Sequence, residues 1–174
     1  MAADLEQRFD AFVNGHRDRA LRIAWRLLGG DAAAAEDVAQ EAFVRAYRGL
    51  ARFRGEAELA TWFQRILVNE VRRHQRWRML RRARHADDRD PDAEPDPTSA
   101  TPPDPALRRR IGAAIAALPR GQREAFVLVH LEGFTLVEAG SATGRAVGTM
   151  KSHLHRALAS LRERLADLAP EETR

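Results

Sequence analysis

The stretch ADDRDPDAEPDPTSATPPDP, residues 86–105, constrains this chain more than any other. It is rich in Pro and Asp and almost free of large apolar side chains. Such a segment cannot bury enough surface to offset the entropy of ordering it, so it is expected to be an extended, mobile linker. At about 3 Å per residue it could span up to ~60 Å. A chain of 174 residues is thereby expected to divide into two small units, 1–85 and 107–174, joined by 86–106.

Both units read as helix, which makes the expected fold all-α. Alanine, leucine and arginine dominate, aromatics are 6% of the chain and β-branched runs are short. Four helices are expected before the linker. The first carries Leu5, Phe9, Phe12 and Val13 and breaks at Asn14-Gly15. The second carries Leu21, Trp25 and Leu28 and ends at Gly29-Gly30. Asp31 is a fair N-cap for the third, which ends at Gly49. After a loop at 51–59, Thr61 can cap a long fourth helix, apolar on one side through Trp62, Ile66 and Asn69 and overwhelmingly arginine in its second half. Beyond the linker, Leu107, Ile111, Ile115 and Leu118 form an i, i+4 stripe stopped by Pro119. Residues 121–133 and 135–143 give two more helices, closed by Gly133 and Gly144.

The last helix begins VGTMKSHLHRAL, with polar donors crowded at its entrance. On a helical wheel Val147, Met150, Leu154, Leu158, Leu161, Leu165 and Leu168 share an inward arc, opposite Thr149, Ser152, His155 and Arg156, with Lys151 and His153 on the flanks. A short helix, a Gly-containing turn and a longer helix of this kind form a helix-turn-helix, whose second helix reads the major groove with its first turns. A solvated surface helix can carry a similar arc. His153 and His155 are two residues apart and point to different faces, with no third ligand nearby, so no metal is expected.

Charge is uneven. Residues 1–85 hold 17 basic and 11 acidic side chains (+6), 86–106 one and seven (−6), and 107–174 eleven and seven (+4), which sum to the net +4. Two basic blocks suit a polyanion, and also ordinary solvated surface. Arg72, Arg73, Arg76, Arg78, Arg81, Arg82 and Arg84 cover most of one helix around Trp77, which suits phosphate contact with stacking. Asp37, Gln40 and Glu41 share one side of 34–50, a solvated face or a protein-docking one. With no cysteine, disulfides, Cys-based zinc sites and thiol catalysis are excluded. No carboxylate cluster has metal spacing and no nucleophile pairs with a base, so no enzyme, catalytic residue or cofactor is expected. No apolar stretch approaches the roughly 20 residues of a membrane span and no signal pattern opens the chain, so a cytoplasmic protein is expected.

Two segments together, AEDVAQEAFVRAYRGLARFRGEAELATWFQRILVN and LPRGQREAFVLVHLEGFTLVEA with VGTMKSHLHRAL, resemble the extracytoplasmic-function sigma factors of bacterial RNA polymerase. The likeness covers roughly 34–80 and 107–165 in the family's order. It implies a dissociable polymerase subunit that directs promoter-specific initiation. Asp37, Gln40 and Glu41 match the positions that dock on the β′ coiled coil of the core, which also contributes β. Phe53 and Asn69 match positions around the pocket that captures an unstacked base of the −10 element, with Arg72, Arg73 and Arg76 along the strand. Thr149, Lys151, Ser152, His155 and Arg156 match the helix that meets the −35 element. The resemblance further implies promoter DNA and an anti-sigma factor as partners, the latter often membrane-bound, and a linker that threads toward the polymerase active centre. The alternative is a two-domain DNA-binding regulator that never engages core polymerase. The chain departs from the family at Ala139, Gly140, Ala142, Thr143 and Arg145-Ala146, where larger or apolar residues are usual. These small residues are expected to leave a marginal C-terminal unit.

Overall fold

The computed structural model describes residues 2–53, 58–84 and 104–168. The linker at 86–103 and the 54–57 part of the expected loop lie outside the described residues. Among the described residues the chain is helical and holds no strand.

The N-terminal half is built from three long helices, not the four expected: α1 (Ala2–Leu27), α2 (Ala32–Gly49) and α3 (Leu59–Arg84). The expected break at Asn14-Gly15 does not occur. A mid-helix glycine costs about 1 kcal/mol relative to alanine. Phe9 on one side of it and Ala20, Ile23, Ala24 and Leu27 on the other all enter one core. Burying Phe9, Ile23 and Leu27 stabilises by roughly 1.5–3 kcal/mol each, so packing overrides the local penalty. His16 helps by donating through Nδ1 to the Phe12 carbonyl at 2.9 Å across the glycine.

Gly29 and Gly30, at φ 75° and 94°, do end α1. Asp31 does cap α2, accepting from the Ala34 N–H at 3.0 Å. Helix α3 starts two residues before the expected Thr61, because the Glu58 carbonyl already accepts the Trp62 N–H at 3.0 Å. Its buried side is Phe63, Leu67, Val68 and Val71, and Asn69 is exposed rather than part of that side.

The C-terminal half holds α4 (Pro105–Ala116), α5 (Arg120–Phe126), α6 (Leu136–Thr143) and α7 (Val147–Arg164). Asp104 caps α4 by accepting from Ala106 N–H at 2.8 Å, with Pro105 in the first turn where its missing N–H costs nothing. The helix expected over 121–133 is not uniform. After Phe126 the chain widens into a π-helical turn, Val127–Leu131, in which the Glu132 N–H reaches the Val127 carbonyl at 3.0 Å. Thr135 and Glu138 form a reciprocal capping box on α6, and Gly144, at φ 65°, closes it.

The two halves pack against each other. One buried cluster runs from α1, α2 and α3 through Val127, Leu128 and Phe134 to Ala139, Ala142 and Met150. A smaller one joins Ala114 and Leu118 to Ala157 and Leu161. The small residues of α6 are packed against the other half rather than left as gaps. They let α6 lie close on α3, and all of Ala139, Gly140, Ala142 and Thr143 are buried. A Cβ on Gly140 would stand 2.8 Å from the Arg145 carbonyl oxygen, so the tight turn into α7 requires glycine there. On α7, Met150, Ala157 and Leu161 are buried, while Val147, expected inward, is 43% exposed at the first turn, where the helix has just left the turn.

Candidate nucleic-acid and protein interface

Helix α7 is anchored from below and polar above. Met150 is fully buried, its sulfur 3.4 Å from the Thr143 hydroxyl, which donates to the Ala139 carbonyl at 2.7 Å. That anchor turns Thr149, Lys151, Ser152, His155 and Arg156 outward, and all five are exposed. The first turn carries no acid and no side-chain cap, so its free N–H groups and the nearby cations face the same solvent. His153 does not join them. Its ring turns back toward Gly121, and its Nδ1 is buried without a hydrogen-bond partner. Burial, then Arg145 and Arg156, hold its pKa below the ordinary histidine value.

On α2, Asp37 and Gln40 are exposed and Glu41 is half-buried. Glu41 accepts from Arg45 at 2.9 Å and lies 3.5 Å from Arg73. The Arg45 hydrogen bond holds the Glu41 carboxyl below its usual range. Behind it, buried Glu70 pairs with Arg45 at 2.9 Å and with Arg73 at 2.8 Å. The acidic face and the arginine row of α3 therefore share one ion cluster.

The expected −10 set is divided. Phe53 is half-buried with its ring 5.1 Å from that of Trp62. Trp62 and Asn69 are seven residues apart on α3, which puts them on one flank about 10 Å apart. Asn69 and Arg76 are exposed, Arg73 is shared with the ion cluster, and Arg72 is engaged elsewhere. Trp77 is 60% exposed beside Arg76.

Arg72 makes the contact that sequence reasoning did not reach. Its guanidinium grips Glu124 of α5 with two bonds of 2.8 Å and donates a third, also 2.8 Å, to the Thr143 carbonyl. Arg145 adds a bond of 2.6 Å to the same carboxylate, which is 2% exposed. The hydrogen bond to Glu124 raises the Arg72 pKa. A second buried acid, Glu132, takes Arg22 at 3.1 Å and Arg26 at 2.6 Å, with Arg19 at 3.7 Å. Arg19 also lies over the Phe134 ring, 5.0 Å from its centre. Glu124 and Glu132 thus fasten the C-terminal half to α3 and α1. The available signal was their position at either end of the mostly apolar run AFVLVHL, where a carboxylate is costly unless paired.

Residues 12–87 match the family model for Sigma-70 region 2, and residues 108–161 match that for Sigma-70 region 4. The chain is 36% identical over 168 residues to the ECF RNA polymerase sigma factor SigE of Mycolicibacterium smegmatis, covering 94% of this chain and 63% of that protein. It is 31% identical over 179 residues to the RNA polymerase sigma-H factor of Pseudomonas aeruginosa, covering 95% of this chain and 90% of that one. Among solved structures it resembles the sigma factor RpoE of Bartonella quintana, determined in complex with the anti-sigma factor NepR, with a TM-score of 0.77, 26% identity and coverage of 92% and 98%. CnrH, solved with the cytosolic domain of CnrY, gives a TM-score of 0.68 at 26% identity, with coverage of 94% and 91%. The chain therefore belongs to the extracytoplasmic-function sigma factors, the transcription-initiation subunits of RNA polymerase within the sigma-70 family. No described helix is long and apolar enough to cross a membrane.

Proposed function

We propose that this sigma factor docks on core polymerase through Asp37, Gln40 and Glu41, contacting the β′ coiled coil and β, captures the melted −10 element with Phe53, Asn69, Arg72, Arg73 and Arg76, and reads the duplex −35 element with Thr149, Lys151, Ser152, His155 and Arg156. It supplies promoter specificity and no chemistry of its own. The observation that carries this reading is the outward arc of α7, five donors on one exposed face over a buried methionine. Duplex base edges are open to such a helix without rearrangement. Bases of the −10 element can be read only once unstacked, which suits the Phe53–Asn69 flank of α3. The two elements lie about two helical turns apart, on the order of 70 Å. Helices α3 and α6 touch in the closed chain, so engaging both elements requires the halves to separate. A protein of the anti-sigma class, acting in the cytoplasm or from the membrane, would hold the chain until that moment, in keeping with the complexes formed by its structural relatives.

Reconstituted transcription tests the reading. The purified chain is mixed with bacterial core polymerase and fragmented genomic DNA, and transcript 5′ ends are sequenced. Starts that share two upstream boxes are expected. Failure of the chain to bind core at all would overturn the proposal.

A further inference from the structure

The two halves flank an open groove of about 850 Å³. Its walls come from α3 on one side and from α4, α5 and α7 on the other. The volume falls in the range of small-molecule sites and is too small for a duplex. None of the five outward residues of α7 lines it.

The groove has an unbalanced charge. Arg76, Arg120, Arg123, Arg145 and His153 face it against one acid, Asp31. That acid is already committed to the α2 cap and to Arg78 at 3.1 Å. Glu124, behind the wall, is taken by Arg72 and Arg145 and comes no nearer than 3.9 Å to Arg120. Arg123 is the anomaly. Among the described residues its guanidinium makes neither an ion pair nor a hydrogen bond, and it lies against Gly29, whose absent Cβ would be 3.5 Å from its Nη1. Burial, only partly offset by Glu124, lowers its pKa. His153 adds a buried Nδ1 with no partner, and it fits only because Gly121 has no side chain: a Cβ there would be 2.8 Å from its Nε2.

A cation partly withdrawn from water without a close counter-ion is destabilising, and neighbouring cations add to that cost. A half-buried arginine with no partner among the described residues, in a groove lined by further cations, is matched by an anion with several oxygen acceptors. Guanidinium forks match phosphate in shape as well as charge. Leu28, Met79, Ala113 and Ala116 supply an apolar part of the wall that would suit a planar ring.

We propose that the groove between the two halves binds a small polyphosphorylated anion of the nucleoside di- or triphosphate class, held by Arg123, Arg145 and His153 with Arg76 and Arg120 at its margin. Because both halves contribute walls, the ligand binds only the closed packing and stabilises it by mass action. Arg72 then stays on Glu124. The site leaves the outward face of α7 free but shares Arg76 with the proposed −10 surface.

Calorimetric titration of the full chain with pyrophosphate, with GTP and with a short single-stranded oligonucleotide tests this. Saturable binding of pyrophosphate and tighter binding of GTP are expected, each weakened about tenfold or more in Arg123→Gln, which is the loss of one charged hydrogen-bond set. Arg123→Gln is also expected to raise the thermal midpoint of the free protein, because it removes an uncompensated cation, and to abolish the rise that GTP produces. His153→Gln gives a second, smaller loss of affinity if Arg123→Gln does not fold. Absence of binding to either phosphate probe at about 1 mM, where even weak sites fill, would overturn the proposal. So would binding of the oligonucleotide alone, which would assign the groove to a nucleic-acid strand. Equal weakening by Arg162→Gln, a distant exposed position, would reduce the effect to general surface charge and would also overturn it.

Discussion

The start of α7 and the middle of α3 carry the same kind of chemistry and present it in opposite ways. On α7, Thr149, Lys151, Ser152, His155 and Arg156 are exposed together. On α3, Arg72 is spent on Glu124 and Thr143, Arg73 is shared with Glu70 and Glu41, and of the four proposed −10 residues there only Asn69 and Arg76 are exposed. A surface meant for duplex DNA can be preset, since base edges stand in the groove at all times. A surface meant for a melted strand has no target until melting occurs. On the proposed reading α3 is such a surface, and in this closed chain its Arg72 is held by the other half of the same protein.

The sharpest way to break that contrast is Glu124→Gln, which leaves Arg72 and Arg145 buried without their acid. Breaking a buried pair from one side costs about 3–5 kcal/mol, so urea unfolding of the full chain should shift by that amount. An unchanged midpoint would mean that the clamp does not secure the halves. Arg156→Ala sharpens the other side. It should weaken promoter binding by the assembled polymerase by ~1–3 kcal/mol if Arg156 makes a bidentate guanine contact, and leave unfolding unchanged. Normal promoter affinity would remove Arg156 from the reading set.

The smallest expected effect is that of Thr135→Ala, which loosens the helix whose end supplies the Thr143 carbonyl to Arg72. Losing the cap should cost about 1 kcal/mol. The Thr135 backbone N–H, then its hydroxyl, hold the Glu138 carboxyl below its usual range. A depressed carboxyl contributes stability above its unfolded pKa and loses it as pH falls through the folded one. The variant should therefore show a higher Glu138 pKa by NMR titration and a smaller loss of stability on acidification. An unmoved Glu138 titration would show that the hydroxyl contributes little to the box.

Much of this was legible in the sequence where the signal is local. Asp31, Gly29-Gly30, Thr135 and Gly144 mark helix ends through their own backbone chemistry, and they end helices in the structure. Asn14-Gly15 misled because a local breaker was weighed without the core that spans it. Gly140 and its small neighbours read as lost burial because their partner, α3, is far off in sequence, with Arg72 and Thr143 71 residues apart. Distance also hid Glu124 and Glu132, since Arg72 lies 52 residues from the first and Arg22 and Arg26 lie 110 and 106 from the second. Arg72 was identified as a cation for DNA from its place on α3, but nothing local shows that it grips a carboxylate in the closed chain.

The π-helical turn at Val127–Leu131 has an evolutionary corollary. It adds one residue to a turn, and Glu132 follows it directly. Each residue of an α-helix rotates the chain by about 100°. Losing a single codon from this turn would swing Glu132 by that angle, off Arg22 and Arg26, with every other side chain of the fastening still encoded. The tightness of the closed chain is therefore open to change by insertion and deletion as well as by substitution, and related chains could differ in it while keeping the same arginines.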